Sequence, residues 1–269
     1  MPRIAQPEVF LVGQTTINVP GLTAYLTKTN NLEFLETIEA ARAEGLGDME
    51  ILSSFFAKLC YRALTLGKNE NVTQTRSIKA NIIRTIEEGH GSVFEHPQLN
   101  FVLHDVSRVL THELVRHRVG VAYCQESGRY CRLGPATTGL YIPPEIADNP
   151  EAKVLFMDAA ERSLVTVAQL YEAFGIDEVN FHTKKQLTSA IRRIAPTGIA
   201  NDIGFSVNLR AVRHIIKMRT NRSAEREIRL VFGQLANIVK GICPLLFHGG
   251  IEETIDGLPE WTFPKQPHL

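Results

Sequence analysis

Between Arg116 and Tyr130 the chain reads RHRVGVAYCQESGRY, which gathers three arginines, a histidine, two tyrosines and the polar trio Gln125, Glu126 and Ser127. Guanidinium groups remain charged at any biological pH and offer paired donors, so they suit phosphates and planar anions. The Ser127-Gly128 pair lets the backbone come close to such an anion, because glycine has no side chain to hold it off. The segment reads as an anion-binding floor that also holds a flat ring. A plainer reading competes with it: cations at 116 and 118 followed by Gly120 are what a helix C-terminus favours through its dipole and cap.

Two other groups carry chemistry. His90-Gly91-Ser92-Val93-Phe94-Glu95-His96 holds two imidazoles and a carboxylate. It lacks the spacing that places two histidines on one helix face, as does the pair His112 and His117, so a polar turn is expected there and no metal. Later, Arg192 stands four residues before Pro196, and Asn208, Val212, Ile215 and Arg219 recur on one helical face, with Arg210, His214 and Lys217 on another. An arginine among apolar neighbours needs an anion, because burying it alone costs several kcal/mol. Arg219 therefore calls for a ligand or a carboxylate, with Glu227 and Asp202 as the structural choices.

These residues need elements to position them. Apolar spacing predicts helices over 32–46, 48–66, 76–88, 107–118, 150–173, 183–195, 207–219 and 224–242, and a strand over 98–106. Ser107 and Asn149 are expected as N-caps. The last helix should bury Ile228, Val231, Leu235, Ile238 and Ile242, and the segment beyond Gly249 reads as a loose tail. The 269 residues carry 29 basic and 29 acidic side chains, and that balance argues against bulk attraction to nucleic acid or an acidic membrane. Four cysteines without a paired spacing read as free thiols. With no secretory or membrane-spanning pattern, a soluble cytoplasmic protein is expected.

Together the three groups resemble the flavin-dependent thymidylate synthases, whose hallmark is R-H-R, seven residues, then S-x-R, commonly followed by Tyr. Arg116-His117-Arg118 leads here to Ser127-Gly128-Arg129-Tyr130. His90 to His96 is similar to the family's H-x-S/T-x-F-E-H segment, and Arg192 to Pro196, Asn208-Leu209-Arg210 and Arg219 with Ala224, Glu227 and Ile228 resemble its later blocks. The resemblance implies a helix-rich α/β (α+β) domain with a central, mostly antiparallel sheet. That catalytic domain would span 51–250, with an N-terminal extension over 1–50 and a C-terminal tail over 251–269. It implies reductive methylation of dUMP to dTMP, with methylenetetrahydrofolate as carbon donor, FAD as cofactor and NADPH as reductant. UMP, or a related pyrimidine nucleotide, is the alternative acceptor. A homotetramer with sites shared between subunits is implied as well. A non-catalytic nucleotide or nucleic-acid binder built on the same arginines is the competing class.

Carried over, Arg219 would act on the pyrimidine edge as the catalytic group. Glu113, Arg116, Gln125, Glu126, Ser127, Gly128, Arg129 and Arg192 would hold dUMP, with Arg129, Arg192 and Arg219 converging on one cavity. His90, Ser92, Glu95, Arg116, His117, Arg118, Gln125, Asn208, Arg210 and His214 would meet the flavin or folate. The chain departs from the pattern in three places. Eight residues separate Arg118 from Ser127, the extra one falling at Val119-Gly120, where a glycine bulge absorbs it. Glu126 stands where the family often has an apolar residue, and Ser223 where it has a histidine.

Overall fold

The computed structural model describes residues 1–265. In chain order the elements are β1 (Arg3–Ile4), β2 (Glu8–Gln14), α1 (Val19–Lys28), α2 (Phe34–Ala43), α3 (Asp48–Cys60), α4 (Ile78–Glu87) and a 3-10 turn over Gly91–Glu95. Next come β3 (Gln98–Ser107), α5 (Arg108–Leu114), β4 (Val121–Gln125), β5 (Gly139–Leu140), α6 (Pro144–Ala147), α7 (Pro150–Ala173) and α8 (Phe181–Ile191). The chain finishes with β6 (Ala200–Asn208), α9 (Leu209–Arg219), α10 (Arg226–Ile242), a 3-10 turn over Pro244–Phe247, β7 (Ile251–Ile255) and β8 (Leu258–Thr262). This is the mixed helical and antiparallel architecture expected.

The central sheet has the order β2-β3-β6-β4, and all its pairings are antiparallel. Its two inner strands alternate in the way a sheet with one covered face requires. Leu99, Phe101 and Leu103 of β3 and Ile203, Phe205 and Val207 of β6 are buried against α9 and α10. Phe205 stacks on Phe101 at 6.3 Å and on Tyr123 of β4 at 5.5 Å. The expected stripe of α10 holds: Ile228, Val231 and Leu235 are fully buried, with Ile238 and Ile242 packed at the rim of the same core. Ser107 and Asn149 cap α5 and α7 as expected, each accepting from a backbone N–H of the first turn.

The helix expected over 107–118 ends at Leu114, and the following residues form turns in which the Tyr123 hydroxyl, 2.9 Å from the carbonyls of both Leu114 and His117, shares its one proton between them. The segment expected as a loose tail beyond Gly249 is ordered over residues 250–265, and its last four residues, 266–269, lie outside the described ones. It forms the β7–β8 hairpin and sends Trp261 and Phe263 into the main core, where Trp261 stands 4.7 Å from the ring of Phe247. Strands β2, β4 and β6 and helix α1 lay outside the expected elements. Among the described residues no helix is long and apolar enough to cross a membrane.

Candidate active site

Because β3 and β6 are antiparallel, α5 starts at the Ser107–Ala200 end of the pair and α9 at the opposite, Gln98–Asn208 end; the R-H-R turn after α5 leads back to the α9 end, where Val121 of β4 pairs with Val207. Asn208 closes β6 and caps α9, its Oδ1 accepting from Ala211 N at 2.8 Å while its own N–H donates to the Gly120 carbonyl at 2.9 Å. Gly120 has φ +71, and a Cβ there would lie 2.4 Å from Asn208 Nδ2. Val119-Gly120, where the extra residue of the spacer was expected, forms a turn ahead of β4 and not a strand bulge, and only glycine leaves room there for the asparagine.

A cavity of about 470 Å³ is lined by Glu95, Arg116, His117, Arg118, Val119, Asn208, Arg210, Ala211, His214 and Ile215. A second, of about 800 Å³, opens between α3 and α4 and shares Arg210 with the first; His90, Ser92 and Lys58 are among its lining residues. Both fall in the range of about 300–1,000 Å³ typical of ligand pockets. His96 is stacked on Phe56 at 3.8 Å, and Glu95 is paired with Arg210 at 2.6 Å. The residues singled out between His90 and His96 thus serve two cavity walls and a packing contact.

Arg219 closes α9 behind the smaller cavity. Its Nη1 donates to Glu113 Oε2 and its Nη2 to the Glu113 carbonyl, both at 2.7 Å, and its Nε donates to His117 Nε2 at 2.8 Å. Its counter-ion is Glu113. The alternatives are engaged elsewhere: Glu227 accepts from the backbone and hydroxyl of Ser107, and Asp202 accepts from His104. Because Nε2 of His117 accepts from a cation, its ring proton resides on Nδ1. Burial first, and the Arg219 charge second, lower the His117 pKa to about 4.

Gln125 faces neither cavity. Its Nε2 donates to Thr111 Oγ1 at 3.0 Å and to Asn201 Oδ1 at 2.5 Å, while Asn201 Nδ2 donates to the Val106 carbonyl at 2.7 Å. With both amide hydrogens engaged, Oε1 is the open atom of Gln125, an acceptor. Glu126 extends the β4–β6 ladder: its N–H donates to the Asp202 carbonyl at 3.0 Å, and its Oε2 accepts from Asp202 N at 3.1 Å. The carboxylate that departs from the family pattern is therefore tied to the strand. Ser127 opens a tight turn in which Tyr130 N and Cys131 N both donate to its carbonyl, and Gly128 is buried against Arg192. Neither of the two cavities is lined by Arg129, Arg192 or Arg219. Of the three expected to converge, Arg192 lies at the Ser127–Arg129 turn that carries Arg129, whereas Arg219 is held elsewhere, on Glu113 and His117.

Comparison with known proteins decides the family. The family model described as thymidylate synthase complementing protein matches residues 46–245, a span that contains every motif above. Flavin-dependent thymidylate synthases from Mycobacterium marinum and Corynebacterium diphtheriae are each 31% identical over 202 and 204 residues, covering 74% of this chain and 78% of each relative. The chain belongs to the flavin-dependent thymidylate synthase family. A solved structure of the UMP/dUMP methylase PolB from Streptomyces cacaoi, bound with 5-Br dUMP, shares the fold with a TM-score of 0.64 at 17% identity, over 92% of this chain and 97% of that one.

As a member of this family the chain is a methyltransferase, and the family's name implies a flavin. The smaller cavity suits such a group. Arg116 and Arg118 line it with no carboxylate partner among the described residues, which leaves their guanidinium groups for an anionic ligand. A Cβ on Gly91 would stand 2.7 Å from Arg210 Nε, so glycine there is what lets Arg210 lie across the wall between the two cavities. The search of the sequence missed Asn201 and Thr111, which orient Gln125, and Lys58, a buried cation that donates to the Arg76 carbonyl at 2.5 Å. No periodicity marks them, since each acts through a partner remote in sequence.

Proposed function

We propose that this enzyme methylates C5 of the uracil ring of dUMP, giving dTMP, with methylenetetrahydrofolate as carbon donor, FAD as cofactor and NADPH as reductant. The observation that carries the reading is the joining of Arg116-His117-Arg118 with Asn208, Arg210 and His214 around one cationic cavity, with Arg219 and Glu113 directly behind it. Bound there, the flavin supplies the hydride that completes the methyl group.

The chain's own residues position and stabilise charge. Arg116, Arg118 and Arg210 hold the anionic part of the cofactor, and Asn208 and His214 border it. His90, Ser92 and Glu95 face the folate and the flavin. The Ser127–Arg129 turn with Arg192 holds the nucleotide phosphate. Arg219 has five N–H groups and uses three on Glu113 and His117, so two remain to hold an anionic pyrimidine edge. Glu113 fixes that guanidinium in place. The separation of Arg192 from Arg219 within one chain fits a homotetramer in which one subunit's turn faces another's cavity.

The test is turnover of dUMP and of UMP with methylenetetrahydrofolate and NADPH, on protein whose yellow flavin spectrum has been recorded. Bleaching by NADPH and preferred methylation of dUMP are expected. Preference for UMP, the other nucleotide named for the PolB structure, would change the acceptor. A colourless protein inactive on both nucleotides would end the proposal.

A further inference from the structure

The segment ahead of β2 lies outside the family match at 46–245, yet it is tied to the strands that lead into the Ser127–Arg129 turn. Strand β1 runs parallel to β5 with Arg3 opposite Gly139, and Ala5 N donates to the Leu140 carbonyl at 2.9 Å. Arg3 crosses over Gly139, where a Cβ would stand 3.1 Å from its Cζ, and ends on Asp105. There Nη1 donates to Oδ2 and Nη2 to Oδ1, both at 2.5 Å, and Gln6 N donates to the same Oδ2 at 2.7 Å. A half-exposed arginine thus holds the carboxylate of a residue only 3% exposed.

Asp105 has φ +59, a left-handed conformation that a residue with a side chain adopts only at a cost. It sits in a bulge of β3: His104 and Asp105 together face Asp202 of β6, while Leu103 and Val106 on either side pair with Ile203 and Asn201. Asp105 N donates to Asp202 Oδ1 at 3.0 Å, and His104 Nδ1 lies 2.8 Å from the same oxygen. Asp202 passes the contact on, its N–H donating to Glu126 Oε2 and its carbonyl accepting from Glu126 N. Asn201, next to it, joins the Val106 carbonyl to Gln125. The bulge therefore sets the two β6 residues that hold Gln125 and Glu126, directly ahead of Ser127. Without Arg3 the buried carboxylate loses its charge partner, and the left-handed backbone loses the contact that offsets its strain.

We propose that Arg3 is a positioning residue of the nucleotide site: through Asp105 it fixes the β3 bulge, and the bulge fixes the Ser127–Arg129 turn. The inference rests on the nucleotide reading above and gives the N-terminal strand a share in nucleotide affinity.

Flavin-loaded, full-length Arg3→Gln, Arg3→Lys and Asp105→Asn proteins, with the Arg3→Gln/Asp105→Asn double variant, test it through kinetics with dUMP and hydrogen exchange of backbone amides. Asparagine at 105 keeps the left-handed backbone accessible while removing the charge. The glutamine and asparagine variants should each raise KM for dUMP roughly 5- to 20-fold, less than the about 10- to 100-fold of a direct hydrogen bond to a charged group, with kcat and flavin content little changed. Exchange at Glu126, Tyr130 and Cys131 should quicken, while that at Trp261 in the hairpin stays at its wild-type rate. Lysine should restore part of the affinity, and the double variant should be no worse than either single one, since both cut the same contact. An unchanged KM in the single variants, or a fall in kcat and flavin content as large as the rise in KM, overturns the assignment. If Asp105→Asn does not fold, the two Arg3 variants are read by the same criteria. Failure of the nucleotide reading looks different: wild-type protein would methylate no pyrimidine nucleotide, yet exchange at 126–131 would still depend on Arg3.

Discussion

Arg219 and His117 form a pair in which each sets the state of the other. Asn208, Val212, Ile215 and Arg219 marked an inward face in the sequence, and a cation there required an anion; that much was legible from spacing alone. The identity of the anion was not, because Glu113 lies 106 residues away and no local pattern links the two. Nor was the histidine contact, which makes His117 a neutral acceptor with its pKa lowered to about 4. Since that value lies below the unfolded one, the neutral ring contributes stability that is full above about pH 6.5 and is lost as pH falls toward about 4. Arg219→Ala removes the second of the two main causes and leaves burial, the first. The His117 pKa is therefore expected to rise in the variant yet stay below the ordinary imidazole value, as read by NMR titration of the ring carbons. Methyl transfer should fall on the order of 100-fold or more, the scale for losing one charge-stabilising donor, with the flavin spectrum kept. Full turnover together with loss of flavin would reverse the roles given to the two residues.

Elements with a strong helical period, α7 and α10 above all, were legible because their apolar stripes and caps agree. Strands were harder, each for its own reason. In β2 the exposed positions include Phe10 and Val12, so the apolar-polar alternation that marks a half-buried strand is erased. In β6 the run Ala200-Asn201-Asp202-Ile203-Gly204 has a turn-like composition, although Asn201 and Ile203 point inward and bury. What joins β3, α5 and α10 is also a polar contact hidden from any window. Glu227, in the first turn of α10, accepts from Ser107 N at 2.6 Å and from the Ser107 hydroxyl that caps α5. Burial, the largest cause, raises the Glu227 pKa to about 7, above its unfolded value. Its contribution to stability is therefore full below about pH 4.5 and is lost as pH climbs through about 7, because the charged form must then be buried. Glu227→Gln keeps an acceptor for the amide and a donor for the hydroxyl without the charge. Urea unfolding at pH 5 and pH 8 should show the variant gaining on the wild type by on the order of 1–3 kcal/mol at the higher pH. An equal pH dependence in both proteins would mean that the carboxylate is not buried in this way.

At the scale of the molecule, the segment that carries the family motifs is not the segment that carries the whole core. The family match ends at residue 245 and begins at residue 46, yet the main core also contains Leu26, Phe34, Ile38 and Ala41 from α1 and α2 before it, and Phe247, Trp261 and Phe263 after it. Strand β2 pairs with β3 along six positions and covers that edge of the sheet. The hairpin is tied down by Trp261 N donating to Thr220 Oγ1 at 2.9 Å and by Glu260 accepting from Asn221 and Arg222 at the end of α9. Motif reading could not reach this, because motifs report the chemistry of the site, whereas the apolar contacts here are packing that many sequences satisfy and the hydrogen bonds join residues about 40 positions apart. A chain cut to residues 46–245 would take Phe34 away from Phe55 of α3 and strip β8 from α10, where Pro259 packs over Gly233. Removing a single large aromatic from a core costs about 3–5 kcal/mol, and the whole of a domain's stability is only about 5–15 kcal/mol. The truncated chain is therefore expected to lose cooperative thermal unfolding, and Trp261→Ala alone should lower stability by about 3–5 kcal/mol. Both are measured by circular dichroism and urea titration. A 46–245 fragment that melts as sharply, and at nearly the same temperature, as the full chain would show that the ends are appendages, and that the core seen here is larger than the fold requires.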